Sequence, residues 1–142
     1  MNIAKALKEK NKKVGVIKEL NSKIVQNNSI PKGDEREYDI DVLIKEVIEE
    51  SRSLAELKTK IHTASQPIRS KIFLLSELKS QVASLKKVPT KNGIDRGGYR
   101  AETIELTSQV KAKDLEAIIK NLEKEIDAIQ EELEKFNHAT EI

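Results

Sequence analysis

Residues Ala112 to Asn137 read AKDLEAIIKNLEKEIDAIQEELEKFN, and this stretch decides the fold. Leu115, Ile118, Leu122, Ile126, Ile129, Leu133 and Phe136 recur at steps of three and four residues. On an α-helix that spacing gathers them into one stripe, with Lys and Glu along its flanks. So regular a stripe needs a second helix to shield it from water. The spacing predicts a closing helix over 112–137 that packs against a neighbour.

Toward the N-terminus the same pattern recurs. A first helix is expected over 2–26, with a seam of Ile3, Leu7, Val14, Ile17, Leu20 and Ile24 broken by Lys10 and Asn21. Asn2 is placed to cap it. Asn27-Asn28-Ser29 reads as a stop, Ile30 to Asp34 as a turn, and the acidic stretch Asp34 to Asp39 as a loop. A second helix over 41–61, capped by Asp39 or Asp41, carries Ile44, Val47, Leu54, Leu57 and Ile61. A third over 67–86 opens on Pro67, which suits a first helical turn, and carries Ile68, Ile72, Leu75, Leu78, Val82 and Leu85.

Residues 88–110 break the helical period. Asn92-Gly93 has the chemistry of a hairpin turn, and Gly97-Gly98 adds a second flexible point. From Ala101 to Val110 the residues alternate, with Ile104, Leu106, Ser108 and Val110 on one side. That period predicts a strand. Its partner is either Val88–Lys91 or the same strand in a second chain. The expectation is a single, mainly α domain over 1–142: a long antiparallel helical bundle or coiled coil with one small β-strand or hairpin before the last helix.

Composition agrees. Charged residues make up 35% of the chain and hydrophobic ones 37%, and the only aromatics are Tyr38, Phe73, Tyr99 and Phe136, so the core is aliphatic. Charge alternates along the chain. Residues 1–29 balance to +5, 30–57 to −5, 58–100 to +8 and 101–142 to −6. Basic helices are therefore expected beside acidic ones. There is no cysteine, which excludes thiol catalysis, disulfides and cysteine-ligated metals. The longest aliphatic or aromatic run, Ile72–Leu75, is far too short for a transmembrane segment. The lysine-rich start, Met1 to Lys13, lacks the apolar run of a signal peptide, so a cytoplasmic location is expected.

No catalytic pattern stands out. His62 and His138 are the only histidines, each near an expected helix C-terminus, and no His-x-x-x-His spacing exists. Glu49-Glu50 and Glu131-Glu132 read as solvated flanks of a seam. No Gly-x-Ser-x-Gly elbow or phosphate loop occurs. The expectation is a protein that is not an enzyme and needs no cofactor or metal. Lys86, Lys87, Lys91, Arg96 and Arg100 form a basic cluster that could meet an anion, either nucleic-acid phosphates or an anionic membrane. The apolar seams favour a different role, a non-catalytic module that forms a homo-oligomer.

The closing residues Asn137, Thr140 and Glu141, the segment Tyr99-Arg100, the strand Ile104–Val110 and the opening Ala4 and Ala6 carry a further signal. In order and spacing they resemble a family of short bacterial proteins labelled septicolysin. The resemblance implies an opening helix, an acidic loop, two more helices, a strand and a closing helix, with no activity attached to the Asn137–Glu141 motif. Thiol-activated cytolysis, which the label suggests, would require a cysteine.

Overall fold

The structure, a computed structural model, describes residues 1–96 and 103–142. It is mainly α, 73% helical, with a small two-stranded antiparallel sheet before the last helix. The elements are α1 (Ile3–Asn27), α2 (Ile40–Ala64), a 3-10 turn at Gln66–Ile68, α3 (Arg69–Leu85), β1 (Gly93–Arg96), β2 (Thr103–Leu106) and α4 (Ala112–Ala139). Two compact units result. One contains Met1–Ile68 and Glu134–Ile142, the other Arg69–Leu133.

In the first unit α1 and α2 form an antiparallel hairpin whose backbones approach closely along their length. Asn2 caps α1 by accepting a hydrogen bond from the Lys5 amide at 2.9 Å. Asp39 caps α2, accepting from the Val42 amide at 3.3 Å. The Arg36 guanidinium folds back to donate to the Asn27 and Asn28 carbonyls at the end of α1. There it satisfies orphan acceptors and places a cation at the negative end of the helix. Lys23 lies 5.3 Å from the centroid of the Tyr38 ring, a cation–π contact that ties the acidic loop to α1.

The core of this unit includes Ile3, Ala6, Leu20, Ile40, Leu57 and Ile68. It departs from the expected seam in two places. Val14 is 46% exposed and Ile44 is 40% exposed. Lys13 and Leu43, their preceding neighbours, are turned inward instead. Lys13 lays its apolar stem along the seam and reaches Glu50 on α2 at 3.3 Å. Ala6 is wholly buried, because so small a side chain lets the backbones come together.

In the second unit α3 and α4 are joined by Lys71–Glu132 and by Lys86–Glu123 at 3.1 Å. Both bonds link a basic block to an acidic one, as Lys13–Glu50 does in the first unit. Exposed pairs of this kind contribute only about 0.2–1 kcal/mol each, so they select which helices meet more than they hold them together. Val82, Leu115, Ile126 and Ile129 are buried. The expected seam residues Ile72 and Ile118 are 41% and 47% exposed, and Ile119 rather than Ile118 is half-buried.

The sheet also corrects an expectation. The partner of the Ile104 strand is Gly93–Arg96, not Val88–Lys91. Asn92-Gly93 is accordingly not the turn of the hairpin but the start of β1. Gly93 has φ +104, which a side chain would strain. Asn92 fastens the base of the ladder, accepting from the Ser108 amide at 2.8 Å and donating to the Ser108 hydroxyl at 2.9 Å. β2 is shorter than the expected strand, and the start of that strand at Ala101, with Gly97 and Gly98, lies outside the described residues.

Candidate functional site

Two places in the sequence were candidates for function, and the structure treats them differently. The closing motif lies in a clasp between the chain ends. The Ile3 amide donates to the Thr140 carbonyl at 2.9 Å, and the Ile142 amide donates to the Met1 carbonyl at 3.0 Å. Asn2 and Glu141 thus face each other as an antiparallel β-bridge. The Met1 amino group lies 2.7 Å from a Glu141 carboxylate oxygen. Asn137 is half-buried in the last turn of α4.

Asn2 joins two helix ends with one side chain. Its Oδ1 caps the start of α1, and its Nδ2 donates to the His138 carbonyl at 3.1 Å, near the end of α4. Orphan groups at both termini are satisfied at once. Beneath the clasp lies Ile3, 1% exposed, beside Ala6 at 0%. Thr140 contributes a main-chain carbonyl and Glu141 a charge, so this motif fastens the fold. Asn2→Ala is expected to cost about 1–2 kcal/mol, the loss of a cap plus one further hydrogen bond. Asn2→Asp, which keeps an acceptor but loses the amide donor, should cost less. Urea unfolding midpoints read both.

The basic segment does not converge on one point. Lys86 is bonded to Glu123, and Lys91 to Asp95 at 3.0 Å. Lys87 is exposed just past the end of α3. Arg96 closes β1 opposite Thr103, while its side chain and the whole of Arg100 lie outside the described residues. Two of the five proposed anion ligands therefore already hold carboxylates. Beside Lys86 an open cleft of about 380 Å³ is lined by Leu85, Val88, Leu115 and Ile119, with Glu116 and Lys120 at its rim. Its lining mixes aliphatic side chains with Thr90 and with charges of both signs, Lys86 and Lys120 against Glu116 and Glu123. No local sequence pattern marks this cleft, because it is formed by the end of one helix and the start of another.

His62 and His138 stand in the last turns of α2 and α4, where a cation is favoured by the helix dipole. Among the described residues no group of His, Asp and Glu could hold a metal ion. No described helix is long and apolar enough to cross a membrane. Neither a curated protein nor a solved structure matches the chain. A family model does match, over residues 10–142, and through that match the chain belongs to DUF6847, a family of unknown function.

Proposed function

We infer that the protein is a non-catalytic, self-associating interaction module of the cytoplasm. One turn of α3 carries the reading. Ile72, Phe73 and Leu74 are 41%, 63% and 43% exposed, while Leu75 beside them is half-buried. Consecutive residues on a helix stand about 100° apart, so these four make the turn apolar on nearly every side. A helix apolar all round belongs in an interior. Its own unit covers only one side of this one. Phe73 is the more telling because the chain has only two phenylalanines.

A second copy of the chain fits the open sides. Within one chain the basic 58–100 block already bonds the acidic 101–142 block through Lys71–Glu132 and Lys86–Glu123, so the apolar turn, not the charge, is what a second copy covers. Closed two-fold pairing is the commonest form of such assemblies.

Light scattering coupled to gel filtration tests this. The parent should run as an oligomer at low micromolar concentration. Phe73→Asp should shift it to monomer with little change in melting temperature, because the substituted side chain lies outside the monomer's core. A parent that is monomeric at that concentration contradicts the reading.

A further inference from the structure

Asn92 is the one asparagine in the chain that precedes a glycine. It is exposed and lies just before β1, outside any helix. The other asparagines stand within helices or at helix caps. Inside a helix the amide that follows is turned into the main-chain ladder and cannot reach the side chain before it. Around Gly93 the space is open, for a Cβ there would meet no atom within 4 Å. No side chain therefore hinders the approach of the Gly93 nitrogen to the Asn92 carboxamide. Gly93, paired with Leu106, also begins the ladder, and ladder ends are where main-chain bonds open most readily.

One restraint opposes that approach. The Asn92 carboxamide is bonded at both ends to Ser108: its oxygen accepts from the Ser108 amide at 2.8 Å, and its nitrogen donates to the Ser108 hydroxyl at 2.9 Å. It must leave Ser108 before it can turn to its own neighbour. Ser108 is itself fixed directly before α4, because the Lys111 ammonium donates to its carbonyl at 3.1 Å.

We propose that Asn92 is a site of spontaneous deamidation, timed by Ser108, and that its β-linked product unfastens the ladder. The Gly93 nitrogen gives up its proton to solvent base and attacks Cγ of Asn92. The new N–Cγ bond closes a succinimide ring, and the Cγ–Nδ2 bond breaks to release ammonia. Water then opens the ring at either carbonyl. One opening restores the ordinary main chain with an aspartate side chain. That carboxylate still accepts from the Ser108 amide, and the Ser108 hydroxyl turns to donate, so the base of the ladder survives. The other opening routes the main chain through the former side chain and lengthens it by a methylene. Gly93 then loses its place opposite Leu106, and no side-chain oxygen remains where the Ser108 amide points. A two-stranded ladder is only marginally stable in water and has little to offset the loss. The reaction needs a single copy of the chain, so it is independent of the self-association described above.

Ageing the full chain at neutral to mildly alkaline pH, with peptide mass spectrometry and enzymatic labelling of isoaspartate, tests the proposal. Conversion at Asn92 is expected well ahead of that at Asn28, and faster as pH rises, because the attack needs a deprotonated amide. Ser108→Ala should speed it about two- to tenfold, the gain in opening when a hydrogen bond of ordinary strength is lost. Ser108→Thr, which keeps the hydroxyl, should restore the parent rate. In the β-linked fraction the Ser108 amide should exchange its hydrogen faster, whereas Asn92→Asp should keep the parent's protection. An Asn92 that stays intact in the folded chain while it converts in urea overturns the proposal. So does a rate that Ser108→Ala leaves unchanged, or a β-linked product whose Ser108 amide exchanges as in the parent.

Discussion

Ile126→Asp will destabilise the Arg69–Leu133 unit by at least about 3 kcal/mol, whereas Ile118→Asp, one helix face away, will be nearly silent. Ile126 is 8% exposed and Ile118 is 47% exposed, although both lie on the same expected stripe of α4. Removing a buried isoleucine side chain forfeits about 2–5 kcal/mol. Aspartate adds an unpaired charge that must either be desolvated or drag water into the packing. Domains of this size are stable by only about 5–15 kcal/mol in total, so the first variant loses a large part of that margin. Leu122→Asp should fall between the two, because Leu122 is half-buried. Thermal melts followed by circular dichroism rank the three. Equal melts for Ile118→Asp and Ile126→Asp would show that α4 does not pack on the face described.

The second large effect is at the other end of the chain. Ile3→Ala is expected to cost about 2–5 kcal/mol, against a few tenths for Val25→Ala on the same helix. Ile3 is 1% exposed and Val25 is 82% exposed. The loss at Ile3 should be at the upper part of that range. Its main chain is held by the Thr140 carbonyl, and Ala6 is packed tightly beside it, so the cavity has little freedom to collapse. Urea unfolding of the two variants, compared at equal slope, measures the difference. A small shift for Ile3→Ala would mean that the clasp opens readily and that the chain ends are not part of the core.

Much of this was legible in the residues themselves. Asn2 and Asp39 announced their helices because a short polar acceptor before an apolar period is how an N-terminus is satisfied. Alternating charge blocks led to the expectation of basic helices beside acidic ones, and Lys13–Glu50, Lys71–Glu132 and Lys86–Glu123 are bonds of that kind; which basic helix meets which acidic one the blocks leave open. The basic segment was less legible. Its five cations are close in sequence, but Glu123, the partner of Lys86, is far along the chain. No local pattern reveals such a partner. The terminal clasp was visible only as a motif without a role, since Thr140 acts through its carbonyl and any residue type can supply one.

By itself the sequence determined the number and order of the helices, the caps of α1 and α2 and the β element before α4, because hydrophobic period and capping chemistry act over a few residues. Tertiary structure alone decided which of two adjacent residues turns inward: Lys13 over Val14, Leu43 over Ile44 and Ile119 over Ile118. A helical turn of 3.6 residues fits steps of three and of four almost equally well, so the period leaves that choice open. It is settled by where the neighbouring backbone lies and by whether a lysine stem can cover the seam while its ammonium reaches a carboxylate. The pairing of Gly93–Arg96 with Thr103–Leu106 was decided in the same way, by main-chain hydrogen bonds that carry no side-chain signature.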